Sequence, residues 1–195
     1  MSARVLAILL SLLAPGGCGH LVPHHHQTTE LSALPEGAYR LDPEHATILF
    51  KIDHLGFSRL VGQFERFDAT LDFDPQQPRQ AKLAVLIDVA SIDLDLPAFE
   101  GELRGAGWLD VERFPEARFE SRSIAITGDD TGIVTGDLTL HGVTAPLTLA
   151  VTFNGGGGNL LTGAYTLGFA AVGSVLRSTF GLGAYAPAIG DEVLL

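Results

Sequence analysis

The sequence predicts an all-β fold, an antiparallel eight-stranded β-barrel with a short helix across one end. Apolar and polar residues alternate with a period of two from Gly37 onward, the alternating runs number eight or nine, and short turns rich in Gly, Pro and Asp separate them. A flat sheet of that many strands would expose long edges, so closure is favoured. The length of 195 residues suits one domain and an exported leader. With 46% apolar and 18% charged residues, the chain can bury a core. A formal net charge of −11 without a basic patch excludes nucleic acid as a partner, because a phosphate backbone is repelled by that field.

The first eighteen residues read as a signal peptide. Arg4 precedes an apolar run from Val5 to Leu13, broken only by Ser11, and Pro15, Gly16 and Gly17 follow. The run is too short to cross a ~30 Å hydrocarbon core. Cys18, the single cysteine, comes directly after these small residues and resembles the cleavage and lipidation site of bacterial lipoproteins, although Pro15 stands where that motif prefers Leu. Cys18 is therefore the expected acylated N-terminus, which would give contact with a membrane. The expected location is the periplasm or cell envelope, as an anchored lipoprotein. A lone cysteine also rules out an intrachain disulfide and a Cys-based zinc site. Residues 19–36 read as a flexible spacer carrying His20, His24, His25 and His26. Consecutive histidines on a mobile chain lack fixed geometry, so no metal site is expected there.

The barrel domain is expected over residues 37–195. Ile48, Phe50, Ile52 and His54 share one strand face, while Thr47, Leu49, Lys51 and Asp53 share the other; the first is the more apolar and should point inward. Phe67, Ala69, Leu71 and Phe73 alternate with Asp68, Thr70, Asp72 and Asp74. Leu83, Val85, Ile87 and Val89 repeat the pattern. Asp74, Pro75 and Pro78 make a turn between these two runs. Alternation lapses from Leu96 to Trp108, where Pro97 suits a first helical turn and Gly105 and Gly107 close a short helix. Strands resume over 117–126, 133–140, 145–153 and 161–171, with a tight turn at His141-Gly142, a flexible hairpin tip at Gly155 to Gly158 and a short closing strand near Glu192.

Tyr39, Leu41, Asp42 and His45, then His54-Leu55-Gly56, Gly62, Phe64 and Phe67, resemble the YceI-like family of polyisoprenoid-binding proteins. Ser91-Ile92-Asp93, Leu103-Arg104, Asp110-Val111, Phe114-Pro115 and Phe119-Glu120-Ser121 continue the likeness. So do Gly136, Leu138, Leu140, His141-Gly142-Val143-Thr144, Pro146, Arg177-Ser178, Phe180-Gly181 and Gly190-Asp191-Glu192-Val193. The resemblance covers about residues 38 to 195. It implies an exported, lipocalin-like barrel with apolar walls that binds a long isoprenoid or other aliphatic lipid non-covalently, with no catalytic residue and no cofactor. The sequence departs from the family around Leu103-Arg104: relatives place an Asp-x-His before Leu-Arg-Ser, whereas here Glu100, Glu102 and Gly105 surround Leu103-Arg104, and Trp108-Leu109 replaces a Phe pair.

The expected ligand-binding residues are Phe50, Ile52, Phe67, Phe73, Val85, Trp108 and Phe119 as walls, with His54 and Arg177 as polar candidates. His54 ends an apolar face, where it either meets a lipid head or ties down its turn. Arg177 is a lone cation in an apolar segment, suited to a phosphate or carboxylate, or to pairing with Asp191 or Glu192. Ala69, Gly136 and Ala145 are small inward residues that would leave free volume, provided opposite Phe rings do not fill it. No Gly-x-Ser-x-Gly elbow surrounds Ser121 or Ser178, and His45, His54 and His141 lack metal-ligand spacing, so no enzyme is expected. Asp93 and Asp95 read as solvated surface rather than an acid/base couple. The alternative function is a filled barrel acting as a membrane-tethered protein-interaction module through its acidic outer face. The oligomeric state stays open.

Overall fold

The computed structural model describes residues 27–195. Eleven strands run in chain order as β1 (Gly37–Arg40), β2 (Ile48–His54), β3 (Ser58–Phe64), β4 (Phe67–Phe73), β5 (Lys82–Asp88), β6 (Ile92–Asp93), β7 (Glu116–Ile126), β8 (Thr131–Leu140), β9 (Val143–Gly158), β10 (Tyr165–Leu176) and β11 (Ile189–Leu194). One short helix, α1 (Pro97–Leu103), lies between β6 and β7. The strands pair antiparallel in the order β1-β4-β5-β7-β8-β9-β10-β11-β2-β3-β6. The sheet curls into a half-barrel.

This corrects the expected closed barrel of eight strands. Three of the eleven, β1, β3 and β6, fall outside the runs that alternation marks, since β1 has four residues, β6 has two, and Gly62 interrupts the apolar face of β3. The chain turns sharply where longer runs would continue. At one such corner the N–H of Glu65 donates to the carbonyl of Ser91 at 3.1 Å and the N–H of Asp88 donates to the carbonyl of Arg66 at 3.0 Å. The Ser91 hydroxyl, fully buried, accepts the N–H of Arg66 at 3.0 Å and donates to the Asp88 carbonyl at 2.6 Å. A polar side chain at such a corner satisfies backbone groups that no ladder reaches.

The turn chemistry otherwise follows the residues. His141 and Gly142 take φ of 51° and 74°, two left-handed residues in succession, the geometry that matches strand twist in a two-residue hairpin. The Asp74 carboxylate accepts the N–H of Gln76 at 2.8 Å, opening the turn before β5. The hairpin expected at Gly155 to Gly158 lies elsewhere: those glycines belong to β9, and the tip is 159–164. Close approach is the reason for glycine there. A side chain at Gly156 would press into Leu34 and Leu167, and Gly156 exchanges two backbone hydrogen bonds with Thr28 at 2.8 and 2.9 Å.

The signal peptide, Cys18 and His20 to His26 lie outside the described residues. Of the stretch read as a spacer, residues 27–36 pair with β9 through Thr28 and form a 3-10 turn over Leu31–Ala33. Leu34 is buried against Phe73 and Phe153. Two further apolar clusters complete the interior. One gathers Phe119, Val134, Leu138, Leu147 and Phe180, and the other Phe50, Ile92, Leu94 and Leu103. The helix is shorter than the 96–108 stretch expected. Its buried Leu103 joins the second cluster, and the Glu100 carboxylate accepts the N–H groups of Leu94 and Leu96 at 3.0 and 3.1 Å.

Candidate functional site

The concave face of the half-barrel encloses a cavity of about 2170 Å³. Drug-sized ligands occupy pockets of roughly 300–1,000 Å³, so this space suits something larger or longer. Strand alternation builds its wall: Phe50 and Ile52 project from β2, Phe67, Ala69 and Leu71 from β4, Val85 and Ile87 from β5, and Phe119 from β7. Trp108, beyond α1, packs edge-on to Phe99 with ring centroids 6.1 Å apart and tilts against Tyr185 at 5.8 Å.

The interior is open rather than filled. Phe169 sits opposite Phe153 in the β9–β10 ladder and so shares its inward face, with ring centroids 5.1 Å apart. Yet Phe169 is 47% exposed where Phe153 is 5%. The difference is the empty space before β10, whose Leu167, Phe169 and Ala171 line the cavity. These β10 residues are absent from the sequence-based site, although their own alternation, with small Ala171 in the middle, was the signal that could have found them.

Eight of the nine expected ligand-binding residues line this cavity: Phe50, Ile52, His54, Phe67, Val85, Trp108, Phe119 and Arg177. Phe73 instead packs with Leu34 and Phe153, outside the cavity lining. Ala69 lines the cavity, but Ala145 packs against the first core cluster and Gly136 is covered by the Phe119 ring, so neither supplies free volume. His54 ends β2 opposite Ser58 and Ile189 and is exposed.

Arg177 is 6% exposed. Its Nε donates to the carbonyl of Gly190 at 2.8 Å, Nη2 to Ile189 at 2.9 Å, and Nη1 to Ala184 at 2.8 Å and to Leu182. Four backbone carbonyls thus take up most of its planar fork, and the 182–190 loop is wrapped round a single cation. The charged groups that reach the lining otherwise gather on β1, β2, β3 and the loop after β1: Arg40, Asp42, Lys51, Asp53 and Arg59. His45 Nδ1 meets the Asp42 carboxylate there at 2.9 Å, both exposed.

The remaining hydroxyl and carboxylate candidates have structural partners. Ser121 Oγ accepts the N–H of Leu83 at 2.8 Å. Ser178 donates its hydroxyl to Asp191 at 2.6 Å and its N–H to the same carboxylate at 2.8 Å, which holds Asp191 below the usual carboxylate range. Asp93 is likewise lowered, first by the Gln63 amide at 2.8 Å and then by the Asp95 N–H at 3.1 Å. His141 Nδ1 lies 3.0 Å from the carbonyl of Phe180, tying its turn to the 3-10 segment Arg177–Phe180. Among the described residues no group of three or more His, Cys, Asp or Glu side chains could hold a metal ion, and no helix is long and apolar enough to cross a membrane.

Comparison with known proteins follows the same lines. The YceI-like domain matches residues 39–195. A UPF0312 protein of Pseudomonas savastanoi pv. phaseolicola is 39% identical over 146 residues, covering 74% of this chain and 76% of its own. BcnA of Burkholderia cenocepacia superposes with a TM-score of 0.70 at 29% identity, over 79% of this chain and 94% of that one. A polyisoprenoid binding domain from Saccharophagus degradans shares the fold, with a TM-score of 0.57 at 14% identity over 82% of this chain and 94% of that one.

Proposed function

We propose that this chain, which belongs to the YceI-like family, is an exported lipid-binding protein that holds a polyisoprenoid or other long aliphatic lipid non-covalently in the half-barrel. It performs no chemistry on that lipid. The observation that carries the reading is the open cavity of about 2170 Å³ with inward Phe50, Ile52, Phe67, Val85, Trp108 and Phe119 along its wall. Association costs ~4–15 kcal/mol, while each buried methylene returns about 0.8 kcal/mol. A ligand of about twenty carbons therefore gains on the order of 16 kcal/mol, enough to exceed that cost. A short acid or a sugar does not. Charged groups concentrated on one side of the lining leave the polar head a place near water, with His54 at the rim, while Arg177 holds the loop that borders the cavity.

Acylation of Cys18 and residence in the periplasm or cell envelope complete the proposal. Labelling with a fatty-acid analogue marks the wild type and not Cys18→Ser. For the ligand itself, native mass spectrometry of purified protein followed by organic extraction is the test. One aliphatic lipid per chain supports the carrier; a ligand-free protein that takes up no added polyisoprenol refutes it.

A further inference from the structure

From Leu138 to Leu176 the chain contains no Asp, Glu, Lys or Arg, although the protein as a whole carries a net charge of −11. That interval takes in the end of β8 and the whole β9–β10 hairpin, the longest among the described residues. Its tip presents Leu160 and Leu161 at 65% and 96% exposure. Adjacent leucines so exposed are an unfavourable choice for a surface that meets only water.

The tip is also built to leave water. The Asn159 side chain accepts the N–H of Leu161 at 2.9 Å and that of Thr162 at 3.3 Å, Asn159 donates its own N–H to Ala164 at 2.7 Å, and Gly163 donates to Asn159 at 2.8 Å. Backbone donors that would cost several kcal/mol each in hydrocarbon are thus paired inside the turn. No charge on the hairpin has to be desolvated. The returning strand leads from this tip straight into the cavity wall, through Thr162, Ala164, Tyr165 and Leu167.

The position of the preceding chain points the same way. Thr28 pairs with Gly156, close to the tip, so the chain that follows Cys18, the proposed site of acylation, joins the body beside this hairpin. A second exposed apolar turn, Leu55 and Phe57 between β2 and β3, lies at the opposite end of the sheet, as the antiparallel order β10-β11-β2 requires. It is flanked by Asp53, His54 and Arg59.

We propose that the β9–β10 tip is a membrane-docking element: Leu160 and Leu161 enter the headgroup boundary of a lipid bilayer and set the cavity against the surface from which lipid is exchanged. The docking itself is independent of what the cavity holds; only its purpose rests on the carrier reading. The partner is an uncharged or zwitterionic surface, because the net negative charge is repelled by anionic lipid.

Protein that begins at position 18 and carries Cys18→Ser, so that neither the leader nor an acyl chain holds it on a bilayer, is mixed with vesicles of phosphatidylcholine with brominated acyl chains, in a Trp108→Phe background. Fluorescence of a Leu161→Trp variant is expected to fall by about half or more, that of a Phe57→Trp variant to stay unchanged, and vesicle association of Leu160→Ser/Leu161→Ser to drop at least tenfold. Unquenched Leu161→Trp, quenched Phe57→Trp, or association indifferent to the double serine variant each overturns the proposal. A quenched tip in a protein that carries no extractable lipid would keep the docking and end the carrier.

Discussion

The ring of Phe50 lies over Gly62, its direct partner in the β2–β3 ladder, and occupies the space a side chain there would need. A glycine inside a strand loses packing and chain entropy, and an aromatic ring on the neighbouring strand offsets part of that loss. Phe50 in turn meets Phe64 at 5.6 Å, so one cavity wall depends on this pair. Gly62→Ala should therefore displace the Phe50 ring and destabilise the protein by ~1–3 kcal/mol, the usual cost of overpacking. Urea denaturation checks it, with Gly101→Ala as a control, since a Cβ at Gly101 meets nothing.

Arg177→Met should remove four hydrogen bonds to carbonyls between Leu182 and Gly190 at once. The expected loss is on the order of 3 kcal/mol, because four partly buried acceptors lose a charged donor together and each such hydrogen bond contributes about 1 kcal/mol. Thermal melts beside lipid titrations separate two roles. A clamp lowers the melting temperature, whereas a headgroup ligand would weaken lipid binding at unchanged stability.

Much of the wall was legible because strands of seven residues or more, such as Ile48–His54 and Phe67–Phe73, expose their period directly. The three missed strands show where that reading stops. Four residues of β1 and two of β6 cannot establish a period, and in β3 the apolar face contains Gly62, whose reason sits on another strand. Phe73 and Gly136 mislead for a related cause. Each is correctly inward by alternation, but position along the strand decides whether inward means cavity or cluster, and the Leu34 segment and the Phe119 ring supply that answer only in three dimensions. Gly155 to Gly158 reads as a turn by composition, yet Gly155 and Gly156 serve the approach of residues 27–34.

Leu34→Ala should cost ~2–5 kcal/mol, as for other buried leucines, because its side chain is enclosed by Phe73 and Phe153. Chemical denaturation measures the loss. An effect under about 0.5 kcal/mol would mean that this segment does not belong to the folded body.

Acid should weaken the fold through Glu100, whose carboxyl is held below its usual range first by the N–H groups of Leu94 and Leu96. A carboxylate with a lowered folded-state pKa contributes stability that is complete above its unfolded value and is lost as pH falls through the folded one. Melting temperatures should thus decline from about pH 5 downward, and Glu100→Gln should be less stable at neutral pH with a shallower decline. Parallel slopes for the two proteins would contradict the assignment.

The most direct measurement titrates the protein with a series of straight-chain or isoprenoid alcohols of increasing length. An open apolar interior predicts that Kd falls about fourfold per added methylene, following ~0.8 kcal/mol each, until the cavity of about 2170 Å³ is full. Affinity that is flat across the series, or absent throughout, would contradict a lipid held inside the half-barrel.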